Sequence, residues 1–304
     1  MKKSLIWLII IVILLVVIYL IIKNLEPRLE REEGSGFANF TTTGVSKIEI
    51  TSPDGENDVT LQREDIWEII YPIEYTADPK AMERIFNTLA DMKFETIVSE
   101  NPNKQDIFEV TEETGREIKV YKDDTMVLHF FAGKTDPSRM NTYIREANSD
   151  KVYAVRGNFS YVFSRPVDQW RDKVIVEIQE NDLQQLEVTW SDTTVVYTLI
   201  DTLWSIVQDD EYMERHQDKL YSITKAFSPL RASGFQDEPL ELKWTMPDMI
   251  LNIHALSGSE YVCRFIKKDD KQYYAKCDDA DQIYLISKYL VDRFKKKLSD
   301  YQKS

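Results

Sequence analysis

The two cysteines of the sequence, Cys263 and Cys277, are spaced so that they could form a disulfide bond. They flank residues 267–272, a polar run typical of a turn between two strands. A turn centred on Asp270 would place them opposite each other, with Cβ atoms about 4.5 to 5.5 Å apart, and a disulfide prefers about 3.5 to 4.5 Å. The alternative is two small buried thiols. The spacing leaves both interpretations open.

The sequence contains no recognisable pattern of catalytic or metal-binding residues. The three histidines, His129, His216 and His254, are widely spaced and form no zinc-binding motif. Gly133-Lys134-Thr135 imitates the end of a phosphate-binding loop, but Leu128 stands where that loop needs its first glycine. We therefore expect no catalytic residue, no metal and no cofactor.

The charge of the chain argues against nucleic acid as a partner. The formal net charge is −14, and a protein that binds nucleic acid needs Lys and Arg to replace the counterions of the phosphates. The composition thus indicates an acidic protein with no nucleic-acid partner.

The N-terminal region has the composition of a membrane helix. The stretch from Leu5 to Ile22 contains no charged residue, Gly or Pro, and as a helix it would span about 27 Å, close to the thickness of a bilayer core. Trp7 and Tyr19 lie near its two ends, where aromatic rings favour the headgroup region. We therefore predict that residues 1–23 form an uncleaved transmembrane anchor whose partner is the lipid bilayer.

The segments after this anchor indicate a stalk and two domains. Residues 24–44 are charged and then rich in Gly and Thr, which predicts a flexible stalk. The stalk is followed by domains at residues 45–173 and 174–304. Because a short basic tail precedes the apolar stretch and a large domain follows it, we expect a cytoplasmic N-terminus and an extracytoplasmic C-terminal part.

The two predicted domains repeat the same order of elements. The strand around Trp67 matches one around Trp204, residues 127–131 match 262–266, and helical apolar positions at 82, 85, 89 and 92 return at 220, 223, 227 and 230. Three residues near the end of the first domain, Tyr143, Arg145 and Tyr153, match Tyr274, Lys276 and Tyr284. The predicted fold class is α+β, with an N-terminal transmembrane helix followed by two tandem repeats of antiparallel β-sheet with packed helices.

A series of motifs in the first repeat occurs in a distinctive order. They are a KIEI strand, a tryptophan strand, Val98-Ser99-Glu100-Asn101-Pro102, the turn Ala132-Gly133-Lys134-Thr135, the strand Tyr143-Ile144-Arg145 and Trp170-Arg171-Asp172-Lys173. In this order they resemble the bacterial domain-of-unknown-function 4340 family. The resemblance covers residues 45–173 well and the second repeat more loosely. With residues 127–131 matched to 262–266, the run 267–270 stands in the second repeat where Gly133 and Lys134 would fall.

The resemblance implies partners rather than an activity. Members of that family are membrane-anchored and tend to be encoded beside ABC transporter components like those of gliding-motility systems. We therefore expect a non-enzymatic, membrane-anchored accessory protein that contacts subunits of an ABC transporter or envelope complex. The alternative is an anchored hydrolase or ligand-binding enzyme whose site is assembled from residues distant in sequence.

Overall fold

The structure is a computed structural model that describes residues 40–179, 181–227, 229–278 and 280–302. The chain divides into two compact units at the peptide bond between Asp172 and Lys173. This boundary lies one residue from the predicted division after residue 173. The first unit also includes the end of the predicted stalk, because Phe40 packs against its core.

The first unit is built on one nine-stranded antiparallel sheet. Its strands are β1 (Val45–Thr51), β2 (Val59–Arg63), β3 (Trp67–Tyr71), β4 (Tyr75–Thr76), β5 (Lys93–Ser99), β6 (Arg116–Lys122), β7 (Thr125–Thr135), β8 (Asn141–Glu146) and β9 (Val152–Arg156). Their order across the sheet is β4-β3-β2-β1-β6-β7-β8-β9-β5. The unit also contains the α-helices α1 (Pro79–Ala90), α2 (Gln105–Phe108) and α3 (Phe159–Phe163).

Helix α1 covers the core side of this sheet. It begins where the Asp78 carboxylate accepts hydrogen bonds from the Lys80 and Ala81 backbone N–H groups, with proline at the first helical position. Its buried residues Met82, Ile85 and Leu89 lie on one face, at the spacing of helical turns. The core of the unit therefore lies between this face and the inward side chains of the strands.

The second unit is built on a sheet of the same size and order. Its strands are β10 (Val174–Val176), β11 (Leu183–Trp190), β12 (Thr193–Ile200), β13 (Leu203–Gln208), β14 (Glu211–His216), β15 (Leu230–Arg231), β16 (Gly234–Gln236), β17 (Met249–Ala255), β18 (Glu260–Lys267), β19 (Gln272–Cys277) and β20 (Ile283–Ser287). The large sheet runs β14-β13-β12-β11-β17-β18-β19-β20-β16, and β10 pairs separately with β15. The helices are α4 (Gln217–Thr224), α5 (Lys288–Phe294) and α6 (Leu298–Gln302).

The two sheet orders correspond strand for strand. Trp67 and Trp204 lie in β3 and β13, and Tyr153 and Tyr284 lie in β9 and β20, at the same places in the two orders. The pairing corrects one part of the sequence match. Phe131 is opposite Arg145 in the first unit, and Arg264 is opposite Lys276 in the second. The residue equivalent to Phe131 is therefore Arg264, two positions before the residue that the sequence match assigned.

The predicted α+β class is wrong, because strands dominate both units. Among the described residues, only α1 is longer than eight residues. The apolar period that predicted a long helix from Leu220 to Leu230 instead spans α4, a turn of 3-10 helix and the strand β15. The architecture is thus mostly β, with two large antiparallel sheets and short helices that fill the ends of each core.

The predicted membrane anchor falls outside the described residues. Leu5, Trp7, Tyr19 and Ile22 all lie in the stretch before residue 40. Within the part that the structure describes, no helix is both long enough and apolar enough to span a bilayer.

Candidate interaction surface

The first sheet carries a small apolar cluster on the side that faces away from its main core. Val110, Phe131 and Val152 are each at most 3% exposed there, and the rings of Phe108 and Tyr143 meet edge to face at 4.8 Å. Phe131 and Val152 are the cross-strand neighbours of Arg145 on either side. We call this side of β7, β8 and β9 the closed face, because residues 108–110 cover it.

Gly133 makes this cover possible. A Cβ atom at this position would lie 2.1 Å from the Phe108 carbonyl oxygen and 2.7 Å from both the Glu109 carbonyl oxygen and Val110 Cγ1. Real Cβ atoms do not approach backbone oxygens so closely, so any side chain would displace the covering segment. Glycine is therefore required here by the close approach of two backbones.

Arg145 holds the same segment from the other side. Its side chain is 6% exposed, and Nε donates a hydrogen bond of 2.8 Å to the Val110 carbonyl. Nη1 donates to three further carbonyls, those of Glu146, Ala147 and Ser149. The guanidinium also lies 4.6 Å from the centre of the Phe131 ring. Burial lowers the pKa of Arg145. Arg145 therefore acts as a structural clamp that holds residues 108–110 against the sheet.

The family-motif residues therefore converge, but they serve the fold of the first unit. Gly133, Tyr143 and Arg145 all contact residues 108–110, and the Lys134 ammonium lies 3.8 Å from a Glu109 carboxylate oxygen at the rim. Sequence reasoning identified these residues but missed Phe108 and Val110. The apolar residues Ile107, Phe108 and Val110 within the mainly acidic run 106–113 were the available signal.

The same side of the second sheet has a different surface. The sheet order and register place Arg264, Tyr274, Lys276, Ile283 and Leu285 where the first unit has Phe131, Tyr143, Arg145, Val152 and Ala154. Ile266 corresponds to Gly133, because it directly follows Phe265 as Gly133 follows Ala132, at the start of an irregular stretch of β7. All six side chains are half-buried, and none belongs to the main core of the unit. We call this set the open face.

Two features distinguish this face from the closed face. Ile266 occupies the place of Gly133, so its side chain fills the space that the Phe108 carbonyl takes in the first unit. The connection equivalent to the covering segment, residues 237–248, adds no residue to a buried apolar cluster within the described chain. Its Met246 side chain is 79% exposed, and its Leu242 and Trp244 side chains are half-buried.

The open face also carries positive charge without matching carboxylates. Arg264 and Lys276 are direct cross-strand neighbours. Among the described residues, no ion pair includes either of these two side chains. Next to them, the Lys268 ammonium lies 5.5 Å from the centre of the Tyr274 ring. This surface thus combines a pair of adjacent cations with neighbouring apolar side chains.

The cysteines lie on the opposite side of the same strands. Cys263 and Cys277 are direct cross-strand partners, and a disulfide joins them. Their side chains are 0% and 6% exposed, inside the core of the second unit. The disulfide therefore links β18 and β19, the strands that carry four residues of the open face.

The histidines form separate pairs rather than a site. His129 Nε2 lies 2.7 Å from a Glu117 carboxylate oxygen, and His254 Nδ1 lies 3.1 Å from one of Glu260. The side chain of His216 is outside the described set. In the described part of the chain, no three His, Cys, Asp or Glu side chains are grouped so that they could hold a metal ion.

Comparison with known protein families gives a match. A family model described as Domain of unknown function (DUF4340) matches residues 67–244, more than half of the 304 residues. The matched region begins at β3 and ends in the connection between β16 and β17, so it spans the closed face and the second unit as far as Trp244. No curated protein and no solved structure matches the chain. The protein therefore belongs to the family described as Domain of unknown function (DUF4340).

Proposed function

We propose that this protein is a non-enzymatic binding subunit of an extracytoplasmic assembly, and that the open face is its contact surface. The observation that carries the proposal is the difference between two equivalent sheet faces. The first is covered by residues 108–110 of its own chain, which complete a buried apolar cluster. On the second, no such cluster forms among the described residues, and Ile266, Tyr274 and Ile283 stay half-buried. A half-apolar sheet surface of this kind is typical of a protein–protein contact.

Two features support a location outside the cytoplasm. A disulfide between Cys263 and Cys277 is favoured in an oxidising compartment and disfavoured in the cytosol. The apolar residues 5–22 would hold the units at a membrane surface. In this proposal the partner is a subunit of an ABC transporter or envelope complex, as the genes beside other family members imply.

Site-specific photo-crosslinking tests the contact. A photoreactive phenylalanine analogue is placed at Tyr274 on the open face or, as a matched control, at Tyr289 on α5, which is 76% exposed. Illumination of intact cells should yield a covalent adduct from position 274 and none from 289, with mass spectrometry identifying the partner. The proposal is wrong if neither position gives an adduct, or if both give the same adducts.

The location has its own test. Protease added to intact spheroplasts should digest the chain after about residue 24, and envelope protein alkylated without reduction should show no modified thiol. Digestion only after lysis would place both units in the cytoplasm.

A further inference from the structure

We infer that the open face binds an acidic segment with apolar side chains, presented by a partner protein. The inference rests on the proposed function, because it specifies the chemistry of the partner that this function requires. It depends on three observations: the segment that covers the equivalent face, the isoleucine that replaces glycine, and the unpaired cations.

The first unit shows what kind of segment suits such a face. Residues 105–113 contain the apolar residues Ile107, Phe108 and Val110 together with four acidic residues, Asp106, Glu109, Glu112 and Glu113. Val110 is buried and Phe108 partly buried against the sheet, and the four acidic residues are exposed. A segment of this composition therefore already docks on the repeated surface within the same protein.

The second unit must bind its segment by side chains rather than by close backbone contact. At the equivalent of Gly133, where backbone atoms approach the first sheet, the Ile266 side chain projects from the second. A docked backbone must therefore stay farther from the sheet. Apolar side chains of the segment can reach down between Ile266, Tyr274 and Leu285, as Phe108 reaches Tyr143 in the first unit.

Charge determines which apolar segments fit. Arg264 takes the place of Phe131 and Lys276 that of Arg145, so two adjacent cations face the segment. In the first unit, the Val110 carbonyl satisfies Arg145. A backbone held farther away by Ile266 cannot offer the same carbonyl, and carboxylate side chains are the groups that reach both cations. The partner segment is therefore acidic.

A peptide with the sequence of residues 105–115 is a suitable probe, because it carries this composition. The full-length protein is titrated into the fluorescein-labelled peptide and binding is followed by fluorescence anisotropy. We expect saturable binding that weakens with added salt. A second peptide with every Asp and Glu replaced by its amide should bind about tenfold more weakly, the loss typical of a removed charge pair.

Matched protein variants locate the binding surface. R264E/K276E should bind the acidic peptide at least about tenfold more weakly. K296E/K297E makes the same charge change at exposed positions after α5 and should bind like the wild type. The exchange R264K/K276R preserves charge and should retain binding, which separates loss of charge from misfolding.

The outcomes distinguish this inference from the proposed function. Equal binding of the acidic and amide peptides, or unchanged binding by R264E/K276E, overturns the inference. If position 274 still crosslinks to a partner in cells, the proposed function stands without it. If position 274 also gives no crosslink in cells, both the inference and the proposed function are wrong.

Discussion

The substitution Gly133→Ala tests how the closed face is built. The added methyl group would lie 2.1 Å from the Phe108 carbonyl oxygen and 2.7 Å from Val110 Cγ1. Both are parts of a segment that Arg145 also holds, so neither contact can be relieved by turning a flexible side chain. We expect residues 108–110 to move away from the sheet.

The cost follows from the apolar groups that this movement exposes. Val110 is fully buried and the Phe108 ring contacts Tyr143, and burying one Val or Phe side chain stabilises a fold by about 1.5 to 3 kcal/mol. A small displacement preserves part of this contact. Replacing a strand glycine by alanine also stabilises the strand by about 0.5 to 1 kcal/mol, which offsets part of the loss. We therefore expect a net loss of about 2 to 3 kcal/mol.

Hydrogen exchange and urea unfolding measure this loss. Exchange should accelerate in residues 105–115, and the urea midpoint of the first unit should fall. The control is Gly234→Ala, whose new Cβ would make only an ordinary contact of 3.6 Å with Leu285 Cδ1. This variant should be unchanged or stabilised by up to about 1 kcal/mol. Wild-type exchange rates in residues 105–115 of the Gly133→Ala protein would refute the reasoning.

Three further predictions concern single interactions. Arg145→Ala should destabilise the first unit by about 2 to 4 kcal/mol in urea unfolding, because it leaves buried carbonyls unsatisfied; no change in the midpoint would contradict the clamp. Replacing Cys263 and Cys277 by alanine should lower the free energy of unfolding by about 3 kcal/mol, the entropy of closing a loop of this size; the reduced wild type should show a similar loss. Burial raises the pKa of Glu117, but hydrogen bonds from Lys119 and His129 outweigh it and lower the pKa overall. Glu117 therefore contributes stability above its unfolded pKa that is lost as pH falls through the folded one, so Glu117→Gln should flatten the acid side of the stability profile below about pH 4.

The alternation of apolar and polar residues in the sequence indicates several of the strands. Ile48 and Ile50 alternate with polar neighbours in β1, and both are buried in the core. The spacing of Cys263 and Cys277 about a polar turn similarly indicated opposed positions in a hairpin, which the pairing of β18 with β19 shows. Such features depend only on local sequence, because strand faces and short turns are set by neighbouring residues.

Local periodicity misled where tertiary packing decides the element. The apolar residues from Leu220 to Leu230 have helical spacing, yet the chain leaves α4 after Thr224 and ends in the strand β15. The match of residues 127–131 to 262–266 failed for a related reason. A shift by two residues leaves every side chain on the same face, so the apolar pattern cannot detect it. Only the cross-strand pairs fix the register.

The difference between the closed and open faces is the feature that the sequence could not reveal. Gly133 is one of nine glycines, and nothing local shows that a backbone from another part of the chain lies against it. Ile266 alone is an ordinary strand residue, and it becomes informative only when the register sets it at the place of Gly133. The sequence determined the strands that have a clear local pattern, such as the hairpin of β18 and β19. The tertiary structure decided which sheet face is covered, because that depends on contacts between segments far apart in the chain.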